Sequence, residues 1–264
     1  MHYQYDEETY AKLIYEKGFQ TRFIRYELVV LVKYLKTLDY TKKDTERFIY
    51  DFCNKYIEGF NKVKYFKIID GAIRDGRKKD NKLIVVKDVP IFVAEIEYID
   101  SLELEDDYKK LLLAFLVNKK ISLAIYKLSN PNANLSTYVG GSVKKFNKIF
   151  KTANITSKLK INEMINKLVQ YGLVTSVIRG DIILTYMDNI PEDQEVFYKL
   201  SNNEFENVGY VFDYYKKNDK IKKCEKCKAL VKTKSNKTKY CPKCAREINI
   251  KKTIENRKKR NCLK

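Results

Sequence analysis

The sequence carries a single histidine, His2, so chemistry that depends on imidazole has almost nothing to work with. Ser-His-Asp triads, HExxH metal sites and histidine general bases are excluded. No G-x4-G-K-[ST] loop occurs either, and Gly140-Gly141-Ser142 lacks the lysine that would complete a phosphate cradle. Long apolar runs are missing as well. The longest, Leu111 to Val117, is far too short to cross a bilayer, and the acidic, aromatic stretch from Met1 to Tyr10 has neither the charged start nor the apolar centre of a secretory signal. These absences predict a soluble, non-enzymatic protein of the cytoplasm with no membrane partner. A carboxylate-and-lysine centre built from Glu95, Glu97, Asp106, Asp107 and Lys109 is the one catalytic alternative, and their spacing reads more simply as a polar helix start with a solvated face.

Acidic residues are scarce at one end. From Lys216 to Lys264 there are twenty Lys or Arg against four Asp or Glu, a surplus of sixteen in a chain of formal charge +19, which leaves about +3 for residues 1–215. So regional an excess repels itself unless an anion is nearby, and it has the form of a nucleic-acid-binding extension on a nearly neutral body.

Within that basic end lie two C-x2-C pairs, Cys224/Cys227 and Cys241/Cys244. The two-residue gap lets the chain turn back and aim both sulfurs at one metal. Thirteen intervening residues, Lys228 to Tyr240, leave room for a β-hairpin between the pairs. Four thiolates form a closed tetrahedral set, which predicts one structural zinc with no free coordination position. Of the other cysteines, Cys53 falls on the apolar face of a predicted helix and Cys262 lies near the end of the chain; both read as structural or incidental.

The fold class expected is mainly α with small β elements: a helical N-terminal bundle, a winged helix-turn-helix, and a zinc ribbon followed by a basic helix. In the bundle, residues 1–90, three helices are predicted. The first spans Tyr26 to Leu38. Thr41 with Asp44 suggests a capped second helix, which then buries Phe48, Ile49, Phe52, Cys53, Tyr56 and Ile57 at three-and-four spacing. The third follows Gly59 and turns Tyr65, Phe66, Ile69, Ala72 and Ile73 inward.

Residues 91–190 read as a helix from Asp107 to Val117, a short strand near Leu135 to Val139, and a helix opened by Gly140-Gly141-Ser142. A turn at Ala153 to Thr156 leads to a second helix from Ser157 to Tyr171, and a hairpin follows around Arg179-Gly180-Asp181. That order is the order of a winged helix-turn-helix. In a DNA-reading version the helix from Ser157 to Tyr171 enters the major groove, Lys158, Lys160 and Lys167 meet phosphates, and Asn162, Asn166 and Gln170 pair with base edges. Arg179 at the hairpin tip touches the backbone or minor groove. Winged helices also dock proteins, so a protein partner stays open.

Ser201 with Glu204 again resembles a capping box and predicts a connector helix over 201–217, within residues 191–220. The zinc ribbon takes 221–248 and a basic tail 249–264. There Glu247/Lys251 and Glu255/Lys259 are spaced for helix pairs, and Arg246, Lys251, Lys252, Arg257, Lys258, Lys259 and Arg260 suit phosphates. Lysine reads the phosphates of DNA and RNA alike, so RNA stays open beside DNA.

The run Cys224-Glu225-Lys226-Cys227 through Lys239-Tyr240-Cys241-Pro242-Lys243-Cys244-Ala245-Arg246-Glu247-Ile248 resembles the short zinc-ribbon tail of many uncharacterised proteins encoded by bacteriophages and integrative elements of Gram-positive bacteria. The likeness covers about forty residues, with a weaker one in the preceding winged-helix region. It implies a bacterial or infected-cell cytoplasm and a DNA-binding role in transcription regulation or replication of the element. Interference with a host nucleic-acid-processing or defence enzyme is the alternative.

Overall fold

The computed structural model describes residues 5–140, 142–155, 160–177, 180–192, 194–233, 235 and 238–261, apart from the side chains of residues 143 and 257–261. The chain divides into two compact units, one of residues 1–87 with 121–134, the other of residues 88–120 with 135–264. Helices dominate and the sheets are small. No helix among the described residues is long and apolar enough to cross a membrane.

The first unit holds four helices, α1 (Glu7–Lys17), α2 (Ile24–Thr37), α3 (Lys42–Tyr56) and α4 (Lys62–Arg77). The predicted cap of α3 is present: Thr41 Oγ1 accepts the Asp44 N–H at 3.1 Å. Asn61 does the same for α4, accepting from Val63 and Lys64. Ile14, Leu28, Leu31, Leu35, Ile49, Phe52, Ile69 and Ala72 form the core, each removed from water by an amphipathic face. Helices α2 and α4 approach closely at Gly76, where an added Cβ would lie 2.6 Å from Val32 Cγ1 and 3.0 Å from the Val29 carbonyl oxygen. Cys53 sits in this core, where burial pushes its thiol up to about 12 and leaves it inert, in keeping with a structural role.

Two expectations for this unit fail. Helix α1 occupies the stretch read as an acidic terminus: Asp6 accepts the Thr9 N–H to cap it, and Glu7, though charged, is buried against Lys33 at 2.8 Å. Phe66, placed inward by periodicity, is instead 56% exposed.

The second unit opens with β1 (Asp88–Phe92), α5 (Val93–Ser101) and α6 (Asp106–Lys127), whose residues from Ile121 belong to the first unit. Predicted to stop at Val117, α6 runs ten residues further. Leu111 to Val117 are buried, and the cation that would have ended an apolar stripe, Lys120, lies in a half-dry setting where Nζ meets Glu95 at 2.5 Å and the Pro90 carbonyl at 2.9 Å.

Next come β2 (Tyr138–Val139), α7 (Val143–Thr152), α8 (Ile161–Gln170), β3 (Thr175–Ser176) and β4 (Ile182–Ile183), with β4 in the middle of a three-stranded antiparallel sheet of order β2-β4-β3. Ser142 caps α7 by accepting from the Lys145 N–H. Asn154, in the left-handed region at φ 54°, turns the chain toward α8. Phe146, Ile149, Met164 and Leu168 face inward, and Phe146 meets the α6 residue Phe115 edge-on at 6.2 Å. After β4 the chain turns into a short 3-10 helix, Thr185–Asn189, where the buried Tyr186 hydroxyl donates to the Leu112 carbonyl at 2.6 Å.

The expected connector helix over 201–217 is mostly something else. Residues Val196–Ser201 form β5, which pairs antiparallel with β1, and only Gly209–Tyr215 are helical (α9). Ser201 and Glu204 do bond, at 2.7 Å, but they close the turn after a strand. The unit ends with β6 (Ile221–Lys223), β7 (Leu230–Lys232) and α10 (Pro242–Asn261).

Candidate metal centre and nucleic-acid interface

The β6–β7 hairpin delivers Cys224. Its register pairs Lys223 with Leu230, so the turn between the strands is the Cys224–Cys227 loop itself. The hairpin therefore wraps the first cysteine pair; the sequence had suggested a hairpin between the two pairs. Within the loop the Cys224 N–H donates to the Ala229 carbonyl and the Lys228 N–H to the Cys224 carbonyl, at 2.8 and 2.9 Å, with Lys228 at φ 62° to make the bend.

The second pair starts α10. Pro242 takes the first helical position, where no N–H is needed, and the Cys244 N–H points at Cys241 Sγ, 3.4 Å away. The two loops are joined by the Glu225 N–H on the Lys239 carbonyl at 3.0 Å and the Cys241 N–H on Cys224 Sγ at 3.3 Å.

All four sulfurs lie within 4.8 Å of one another, and Cys227 and Cys241 are 3.7 Å apart. Thiolates about 2.3 Å from a tetrahedral ion stand about 3.8 Å from each other, so the set can hold one metal ion with little movement. It is the only metal-holding group of His, Cys, Asp or Glu among the described residues. Cys224 and Cys244 are buried, Cys241 half-buried and Cys227 exposed. Burial works against the Cys224 thiolate, yet N–H groups of Cys227, Cys241 and Lys226 outweigh it and bring the group down to about 6. Around the sulfurs the buried cluster adds Val231, with Tyr240 packed beside it, and Ile221, Ala229 and Leu230 are buried along the same hairpin.

Two of the residues in the catalytic alternative are engaged elsewhere. Glu95 is bound to Lys120 and accepts the Phe92 N–H, while Lys109 turns to Asp100.

The structure separates the proposed nucleic-acid contacts into three groups. On α8, Asn162, Asn166 and Gln170 are exposed along one face, with Lys160 exposed just ahead of the helix, where its N–H donates to Glu163 at 3.0 Å. Lys167 is different: its ammonium lies 4.8 Å over the Tyr108 ring and 3.5 Å from Glu105, so a phosphate there would have to displace a carboxylate. On α10, Arg246, Lys251 and Lys252 are exposed. Glu247 does not pair with Lys251 as spacing suggested; it reaches back to Lys226 at 2.6 Å and fastens the helix to the first cysteine loop. Lys158 and Arg179, and the side chains of Arg257, Lys258, Lys259 and Arg260, lie outside the described residues, as do His2 and Cys262.

No protein-family model matches this chain, and no curated protein or solved structure does either.

What sequence reasoning missed is the fastening of the cysteine module to the rest of its unit. The buried Glu204 carboxylate accepts from the Tyr198 hydroxyl at 2.6 Å, the Ser201 N–H at 3.1 Å and the Leu230 N–H of β7 at 2.7 Å. Nothing in the local pattern distinguishes Glu204 from a helix-capping glutamate.

Proposed function

We propose that this chain is a zinc-stabilised DNA-binding protein, a transcription regulator or replication accessory factor of a phage or mobile element, with no catalytic activity of its own. One observation carries the reading: α6, β2, α7, α8, β3 and β4 follow one another with the sheet order β2-β4-β3, leaving the polar face of α8 open. A winged helix-turn-helix has that order, with its second closely spaced helix lying in the major groove. Asn162, Asn166 and Gln170 on that face suit adenine edges, and Lys160 suits a phosphate. The basic α10 supplies attraction that does not depend on sequence.

Zinc is the metal that fits best. Four thiolates at tetrahedral spacing suit zinc or an iron–sulfur cluster, and two C-x2-C pairs on a hairpin and a helix start form the closed set of a structural zinc ribbon. Metal analysis of the purified chain should give one zinc and no visible iron–sulfur absorbance.

The functional test is selection from fragmented DNA by the zinc-loaded chain, with sequencing of what remains bound at high salt. One recurring site is the expected result. Asn162→Ala and Asn166→Ala should each relax preference at one base pair by roughly 1–3 kcal/mol. Replacing Lys251 and Lys252 by Gln should weaken all sequences alike and lower the salt slope by about 0.9 per lost phosphate contact. Uniform, wholly salt-labile recovery would overturn sequence-specific recognition and move attention to an RNA or protein partner.

A further inference from the structure

Beside the cysteine module, and lined by no residue of α8, the second unit carries a groove of about 620 Å³ whose walls are aromatic and whose lip is basic. Phe197 of β5 and Tyr214 and Tyr215 of α9 line it, with ring centroids 6.4 Å apart for Phe197–Tyr214 and 5.5 Å for Phe197–Tyr215. All three rings are half-buried, so each is held by packing and still reaches the groove. Lys217 and Lys222 are exposed at the lip, and neither is paired with a carboxylate among the described residues. Lys223 lies 5.1 Å over the Tyr214 ring, and Asp219 is the single acid on the wall.

Lys217 is held in an unusual backbone state. It has φ 56° just past the C-terminus of α9, where the Asn218 N–H returns to the Asp213 carbonyl at 3.0 Å. Glycine or asparagine is the ordinary residue at such a helix stop, because a side chain on Cβ crowds the left-handed region. A lysine there tolerates strain in order to place a long cation at the groove.

We propose that this groove binds single-stranded nucleic acid, stacking one or two unpaired bases on Phe197, Tyr214 and Tyr215 while Lys217 and Lys222 meet the adjoining phosphates. The chemistry selects the occupant. Aromatic walls need a free π-face, and a base inside a duplex has none, since its neighbours cover both sides. The volume falls within the ~300–1,000 Å³ typical of small-ligand sites, too small for a duplex to enter. The surrounding surplus of lysine complements a phosphate chain, and Lys217 and Lys222 stand on the same side as the rings. The site is separate from α8, and the proposal does not depend on duplex reading there. It gives the chain a way to hold a melted or displaced strand next to the duplex.

The test is fluorescence anisotropy of a labelled oligo(dT) of about twelve nucleotides with the full zinc-loaded chain, across a salt series. Phe197→Leu and Tyr214→Leu keep apolar bulk but remove the stacking face, and each should weaken oligo(dT) binding about tenfold with the salt slope unchanged. Lys217→Asn, which suits the left-handed backbone, and Lys222→Gln should each lower the slope by about 0.7. Duplex binding by all four should change far less.

Oligo(dT) affinity unchanged in both leucine variants would overturn the proposal, as would no measurable oligo(dT) binding by the unaltered chain. Competition by free dTMP at the oligomer's own concentration would overturn the assignment to a strand. If the leucine variants lose their helical circular dichroism, the lysine pair decides, an unchanged slope in the Lys217→Asn/Lys222→Gln chain overturning it. Binding of oligo(dT) without selection of any duplex site would leave the groove standing and remove the duplex reading alone.

Discussion

The helical first unit and the cysteine module solve the same problem with opposite means. In the first unit Ile14, Leu28, Leu31, Leu35, Ile49, Phe52 and Ile69 are fully or almost fully removed from water, and four capped or packed helices share one core. Around the cysteines, the buried cluster is Cys224, Cys244 and Val231 with Tyr240 beside it, and Ile221, Ala229 and Leu230 are the other buried apolar residues of the hairpin. Burial of apolar surface at about 25 cal/mol per Å² contributes far more to the former than to the latter. The difference teaches that the positive surplus of the carboxyl end is displayed on a backbone with little core beneath it, and that four cysteines able to hold one metal ion lie where the first unit has apolar packing.

The largest effect that would test this contrast comes from stripping the metal. A structural zinc contributes roughly 10–16 kcal/mol of apparent binding free energy in small metal-folded modules. Amide hydrogen exchange with and without chelator should therefore show protection lost across β6, β7 and the start of α10, and unchanged in α2 and α4. Protection that survives in residues 221–250 after metal removal would mean that packing, not coordination, folds the module.

A smaller but still large effect is expected inside the first unit. Lys33 and Glu7 form an ion pair at 2.8 Å with side chains only 7% and 3% exposed, and Glu7 Oε2 also accepts the Ile84 N–H. Lys33→Ala strands a buried carboxylate and should cost about 3–5 kcal/mol in urea unfolding. The double change Glu7→Gln with Lys33→Met keeps an acceptor for Ile84 and should lie close to the unaltered chain. A Lys33→Ala cost below ~1 kcal/mol would show that water reaches the pair, and the claim of a dry core on this side would fall.

The same pair shows which parts of the fold could be read in advance. Elements whose signal is local were legible: the Thr41 cap of α3, the Ser142 start of α7, the turn that begins at Ala153, the four cysteines at two-residue gaps. What escaped were structures made by distant partners. Helix α1 hid because its buried face includes Glu7, which counts as polar until Lys33 is known to cover it. The last ten residues of α6 hid because Lys119 and Lys120 look like a solvated end, although Lys120 is bound to Glu95 across 25 residues of chain. Strand β5 went unread because its partner β1 lies more than a hundred residues away in sequence, and the capping spacing of Ser201 and Glu204 put a helix start where the strand ends. At the metal centre the ligands were legible and their setting was not: the hairpin encloses the first pair, and Glu247 bonds to Lys226 because the helix start folds back onto that loop.

The finest test of the contrast asks how far the cysteine module leans on the rest of its unit, and Glu204 is where to apply it. Its carboxylate meets donors from Tyr198, Ser201 and Leu230 at 2.6–3.1 Å, and the residue is 4% exposed, so both oxygens are used. Glu204→Gln keeps the shape but replaces one acceptor oxygen with an NH2 group that faces another donor. Leaving one buried donor unmet costs roughly 1–3 kcal/mol. Since Leu230 opens β7 and pairs with Lys223, the residue before Cys224, the loss should appear as about tenfold faster transfer of zinc to a competing chelator, with the urea midpoint of the first unit unmoved. Unaltered zinc transfer would mean that the four thiolates and their metal hold the module unaided, and the carboxylate only positions it. Faster transfer would mean that a buried acid and a metal share the work that a hydrophobic core does in the first unit.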